Sequence, residues 1–304
     1  MNKLKQMHTA LFLTILASFC FAFPAVFMKF LIKEMSPTTA LTVRFFLAAI
    51  LFPIIVFFMH KKHVWDIKFN DAKHFAVLGF ILFGSTIALF YSFLYIPANM
   101  AMLIFITYPI VDSILAWIFL QEKITLPDWV AIALTLIGGY IIYGNQLTVH
   151  VLGYALAGIG TVFFAAFLVL SRKLSQHHTK DFHKRTAWLF VFTFIFFAIA
   201  ELFESPTEIL HISSQGWLWL VLLATVSTVV PYVCLSYGSG LLKSSVASLI
   251  VIFGHISSVG LVSIIFHETM TLNMYIGGAL ILFAFLITTI AEWESEEKRF
   301  HHGS

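Results

Sequence analysis

Apolar runs of about 20 residues, separated by short polar breaks, recur from one end of the chain to the other, and a helix needs roughly that length to cross a bilayer core. The pattern predicts ten such helices, at 9–32, 38–59, 74–96, 98–119, 127–145, 151–171, 186–204, 215–238, 244–266 and 272–291. The connections are short, so the expectation is one all-α membrane bundle with no soluble domain. The two longest connections, 60–73 and 172–185, are basic.

The pattern also repeats itself. Tyr91-Ser-Phe-Leu-Tyr-Ile-Pro-Ala-Asn-Met-Ala-Met-Leu leads into an apolar run, then Glu122 and Trp129. At an offset of 146, Tyr91 meets Tyr237, Ala101 meets Ala247, Leu103 meets Leu249, Glu122 meets Glu268 and Trp129 meets Tyr275. A constant offset without gaps implies two related halves, 1–145 and 146–291, followed by a charged cytoplasmic tail at 292–304. Five helices per half is an odd number, so the second half enters the membrane from the opposite side. Inverted five-helix repeats are a common plan of secondary transporters, in which two packings of related halves open a central site to each side in turn.

Composition sharpens this picture. The 304 residues are 60% hydrophobic and only 11% charged, far below the roughly 25% of a soluble protein. The net charge of +3 says less than the placement of the charges. With the N-terminus inside, fifteen of the eighteen Lys and Arg residues fall in cytoplasmic segments, leaving Lys29, Lys33 and Arg44. Excess Lys and Arg marks the cytoplasmic side, so both termini are expected inside a multi-pass inner-membrane protein. Cys20 and Cys234 lie within apolar runs and read as small buried hydrophobes. The N-terminal run is too long for a signal peptide and reads as a retained first helix.

Against this apolar background, ionisable groups inside helices stand out, because each costs several kcal/mol unless it faces a cavity or a partner, about 2.5–3.5 kcal/mol for aspartate at a helix centre. Asp112 lies 14 residues into the fourth helix, roughly 20 Å deep at 1.5 Å per residue. It shares a face with Tyr108 and Phe105. His255 sits near the middle of the ninth helix with Ser248 and Ser258 on its face. In the repeat, Pro109 faces His255 and Asp112 faces Ser258, so these are departures from the internal symmetry. Asp112 and His255 are candidates for substrate binding and proton coupling, since histidine titrates near neutrality; the alternative for each is a polar bond to a neighbouring helix. Tyr91, Tyr95 and Tyr232 are further candidate substrate contacts, with an apolar face and one hydrogen bond each. Pro24 and Pro231 are candidate kinks, Lys29 reaches for the interface, and Arg44 is expected to brace the loop between helices 1 and 2. Glu122 and Glu268 are expected to bond helix ends on opposite membrane faces. The thirteen histidines form no metal motif, so neither a metal nor another cofactor is expected.

Taken together, the two five-helix halves, Arg44-Phe45-Phe46 near the start of the second helix, and the Ala101…Glu122 and Ala247…Glu268 blocks with Gly138-Gly139 and Gly277-Gly278 resemble the EamA-type carriers of the drug/metabolite transporter superfamily. The sequence departs from that pattern at Phe21-Ala-Phe-Pro24, where a tryptophan–glycine pair is usual, and at His255, where proline is typical. The resemblance implies ten helices and a central cavity lined mainly by helices 1, 3, 4, 6, 8 and 9. It also implies transport of a small metabolite such as an amino acid, often by export. The partners expected are a small-molecule substrate and the lipid bilayer, with no nucleic acid. A membrane-embedded enzyme is the main alternative, but the chain lacks a grouped nucleophile, base and metal ligands. A channel is the other, and an inverted repeat argues against it.

Overall fold

The computed structural model describes residues 3–61, 64–65, 69–121, 124–143, 150–177, 181–204, 211–238 and 244–302. These residues form α-helices, with one π-helical turn and no strand. Seven segments are long and apolar enough to cross a membrane, and three shorter apolar helices accompany them.

Three of the crossing segments are interrupted, each beside a proline. Proline has no N–H to offer and its ring opposes the carbonyl four residues back. Accordingly α1 (Lys3–Cys20) stops four residues before Pro24, and α2 (Pro24–Leu31) restarts on it. The same rule separates α5 (Ala98–Phe105) from α6 (Tyr108–Leu120) around Pro109. Near Pro231 the chain instead widens into a π-helical turn, Thr225–Val229, between α10 (Ser214–Ala224) and α11 (Val230–Gly238). Such turns leave local carbonyls open to side chains and mark functional positions in many helices.

The other helices are α3 (Pro37–His60), α4 (Phe69–Ser92), α7 (Leu126–Tyr143), α8 (Val151–His177), α9 (Phe182–Glu201), α12 (Ser244–Phe266) and α13 (Leu272–His302). Two boundaries differ from expectation in a way that matters. The 172–185 connection is largely helical, because α8 runs on to His177 and α9 begins at Phe182. Likewise α13 continues to His302 where a separate tail is expected.

Backbone geometry carries its own repeat signature. Gln121 ends α6 and His267 follows α12, both in the left-handed region at φ 57° and 53°. They are 146 residues apart, as in the sequence offset.

Close helix contacts depend on small residues. A methyl group on Gly254 of α12 would overlap the Ser18 carbonyl oxygen of α1. The Ser18 hydroxyl in turn donates to the Ile250 carbonyl, so α1 and α12 meet backbone to backbone. The core between α3 and α9 is aromatic, with Phe45 stacked on Phe197 at 5.5 Å and Phe52 edge-on to Phe190 at 5.5 Å. Large apolar side chains such as Phe58, Leu126, Tyr140 and Phe203 point outward, which suits a lipid-facing surface.

Candidate functional site

Carboxylates tie one end of the bundle together. Glu268, just past α12, pairs with Lys29 of α2 and accepts the backbone N–H groups of Ala98 (3.1 Å) and Asn99 (2.8 Å) at the start of α5. Glu204, just past α9, accepts from Ser36 (2.5 Å), Thr38 (2.8 Å) and Tyr91. Glu34 accepts from the Ser213 N–H (3.0 Å) and hydroxyl (2.8 Å), where α10 begins. Helix N-termini carry unpaired N–H groups and partial positive charge, so anions bind there. Burial pushes the Glu204 carboxyl up, but the hydrogen bonds from Ser36, Tyr91 and Thr38 outweigh it and hold the group below its usual range. An aromatic layer lies beside these bonds: Phe30 stacks on Trp219 at 4.4 Å and packs on Phe266 at 4.7 Å.

Away from that end the helices part around a cavity of about 560 Å³. Small-molecule pockets fall in the range of about 300–1,000 Å³. Its middle is aromatic and centred on His255. Phe21 stacks on the imidazole at 5.7 Å, Phe105 and Phe164 lie at 5.6 and 6.2 Å, and the Tyr108 ring meets it edge-on at 5.8 Å. The buried His255 Nδ1 and Ser258 Oγ have no hydrogen-bond partner among the described residues. The Pro24 and Pro109 interruptions place Phe21 and Tyr108 here, because a broken helix turns side chains inward that a straight one would spread along its face.

Asp112 lies on the cavity wall, one turn after Tyr108. It is joined to Arg172 of α8, whose Nη2 donates to Oδ2 at 2.6 Å, rather than to His255. Arg185, near the start of α9, also lines the cavity. Arg44 of α3 lies in it too, 7% exposed, with Nε donating to Thr228 Oγ1 at 2.8 Å. Thr228 belongs to the π-helical turn, and its hydroxyl donates to Leu223 O at 2.8 Å.

The structure therefore brings Asp112, His255, Tyr108, Tyr232 and Ser258 to one cavity. It does not bring Tyr91 and Tyr95 there. Tyr91 is bonded to Thr38 and Glu204 at the latched end, and Tyr95, 44% exposed, lies on the surface. Both fall at the last turn of α4 or beyond it, above the level of the cavity. Arg44 is a correction as well: it reaches Thr228 rather than the loop between the first two helices, and helices α3 and α9 join those expected to line the cavity. Arg172 and Arg185 were hidden in the sequence because they read as charges of the basic 172–185 connection. Glu268 does bond a helix end, and its repeat counterpart Glu122 lies outside the described residues.

Comparison with known proteins agrees with this architecture. The sequence profile of the EamA-like transporter family matches the chain twice, at residues 8–144 and 151–290. An uncharacterized transporter of Synechocystis is 27% identical over 68% of this chain and 63% of its own length. Two uncharacterized transporters of Archaeoglobus fulgidus are 29% identical over 56% of the chain, and 26% over 88%. The chain thus spans about three fifths of the first two relatives, at 63% and 59%. A protein of known crystal structure shares the fold, with a TM-score of 0.67 over 95% of this chain and 99% of its own, at 17% identity.

Proposed function

The chain belongs to the EamA-like transporter family and is a multi-pass membrane protein; from that premise we propose a transporter, a secondary carrier that moves a small amphiphilic metabolite, an amino acid or a relative of one, outward across the inner membrane by alternating access. Ten membrane spans in two inverted halves form the frame. Seven long and three shorter apolar helices, two matches to one family profile, and matching left-handed caps at Gln121 and His267 support that frame.

One observation carries the mechanism. The cavity is lined from both halves, and the bundle end bearing Glu34, Glu204 and Glu268 is latched. With the termini cytoplasmic, that end faces outside, and the cavity runs towards Arg172 and Arg185 on the inner side. This is the inward-facing member of an alternating pair. Opening outward requires the Lys29–Glu268 pair and the helix caps to part while the inner helix ends close. Substrate meets Tyr108, Tyr232, His255 and Ser258 in the middle of the cavity. Asp112 and His255 carry the coupling proton, with Arg172 holding Asp112 between cycles.

Purified protein in liposomes preloaded with an unlabelled amino-acid mixture tests this. Saturable counterflow of a labelled amino acid is the expected result. Linear, non-saturating flux would mean a channel, and formation of a new product would mean an enzyme.

A further inference from the structure

The charge lining the cavity narrows the substrate. Among the described lining residues there are three guanidinium groups, Arg44, Arg172 and Arg185, and one carboxylate, Asp112. Asp112 is bonded to Arg172. No carboxylate pairs with Arg44 or Arg185 among the described residues, so the cavity holds an excess of positive charge.

Arg44 is the deep member of the set. It lies seven residues inside α3 from Pro37, roughly 10 Å along the axis from the latched end. It is nine-tenths buried, and ionisable groups buried in membrane helices mark substrate pathways. Its Nε is fixed by Thr228, and the rings of Phe45 and Phe90 lie 5.3 and 6.0 Å from its guanidinium carbon. A guanidinium held through Nε keeps a planar edge of N–H donors for a second partner, and that edge matches a carboxylate with two parallel hydrogen bonds. Phe21, Phe105, Phe164 and Phe190 add ring faces to a wall that also carries aliphatic and hydroxyl-bearing side chains.

We propose that the transported solute is an organic acid, its carboxylate bound by Arg44 beside Thr228 and its apolar body held among the rings around His255. This rests on the carrier reading above and deepens it. An amine without a carboxylate finds no equivalent anchor, because Asp112 is engaged by Arg172. Arg185 supplies a second positive charge nearer the inner side, which draws anions in before they reach Arg44.

The test uses three ring scaffolds, each as acid, amide and amine: phenylacetate, 3-phenylpropanoate and indole-3-acetate with their neutral and cationic counterparts. Melting temperature of the purified full-length protein reads binding, since a ligand of the folded state raises it. At least one acid is expected to stabilise the protein where its amide and amine do not. Arg44→Gln should weaken that acid at least tenfold, and Arg44→Lys should retain part of the affinity. If Arg44→Gln fails to fold, Arg185→Gln together with the acid–amide–amine comparison on the parent still decides. Amides or amines binding as well as their acids overturns the proposal, as does the absence of any acid-specific shift, or unchanged acid binding in Arg44→Gln. Counterflow in liposomes, with protein-free vesicles as control, separates the two readings. Acids that bind while no solute exchanges would leave the site standing and remove the carrier. Exchange of neutral or cationic solutes but not acids would leave the carrier standing and remove this inference.

Discussion

Asp112 shows how much a single partner changes the meaning of a residue. Alone in an apolar helix it reads as a binding site for a cation; bonded to Arg172 at 2.6 Å it becomes half of a charge pair at the cavity wall. The Arg172 side chain is 40% exposed and Asp112 18%, so neither charge is sealed in the packed core. On the carrier reading the pair's effect is expected in transport. Asp112→Asn should lower the counterflow rate at least tenfold while the melting temperature moves little. Exchanging the two charges, Asp112→Arg with Arg172→Asp, should recover part of the rate. Single and double variants that all transport like the parent would reduce the pair to packing. Gly254 is a residue of another kind, whose only content is the space it leaves for the Ser18 carbonyl.

At the scale of helices, interruptions set the shape of the cavity. Broken helices α1–α2 and α5–α6, with the π-helical turn before α11, bring Phe21, Tyr108 and Thr228 to the cavity. The carboxylate caps tie the opposite end together. Glu268→Gln removes the ion pair with Lys29 and weakens the cap on α5, so the outward-open state should gain population. In a background with Cys20 and Cys234 replaced by serine, Thr86→Cys on the cavity wall reports this. An impermeant maleimide added outside should label it several-fold faster when Glu268→Gln is present; an equal rate would deny the latch its gating role. Glu204 makes the same end sensitive to acid. Its carboxyl is held below the unfolded value, so its contribution is present above the unfolded pKa, about 4.3, and is lost as pH falls through the lower folded value. Melting curves of the parent should therefore lose stability on acidification in that window, and Glu204→Gln should flatten that part of the profile.

For the molecule as a whole, orientation is the property that turns a cavity into a direction of transport. Fifteen of eighteen basic residues lie on the side assigned to the cytoplasm. Single cysteines at Ser205 and Ser295, in the same cysteine-free background, should react with an impermeant reagent in intact cells at Ser205 alone. Labelling at Ser295 alone would reverse the molecule and make the latched end cytoplasmic.

The all-helical membrane class and the family were legible in the sequence because both depend on local pattern. Apolar run length reports the bilayer without reference to any other part of the chain. The blocks at Ala101–Glu122 and Ala247–Glu268 needed only comparison of the chain with itself. Pro24 and Pro231 read as kinks in the sequence because a proline acts on the carbonyl four residues back, while the break at Pro109 came from the structure. Tertiary structure decided which polar side chains share a space. Arg44 and Thr228 are 184 residues apart and Asp112 and Arg172 are 60, and no helical period relates such positions. Tyr91 and Tyr232 look alike as aromatics in apolar helices, yet one caps the latched end and the other lines the cavity. Their difference is one of depth and rotation about the helix axis. Packing sets both, since it selects the face that turns inward from contacts made by distant helices.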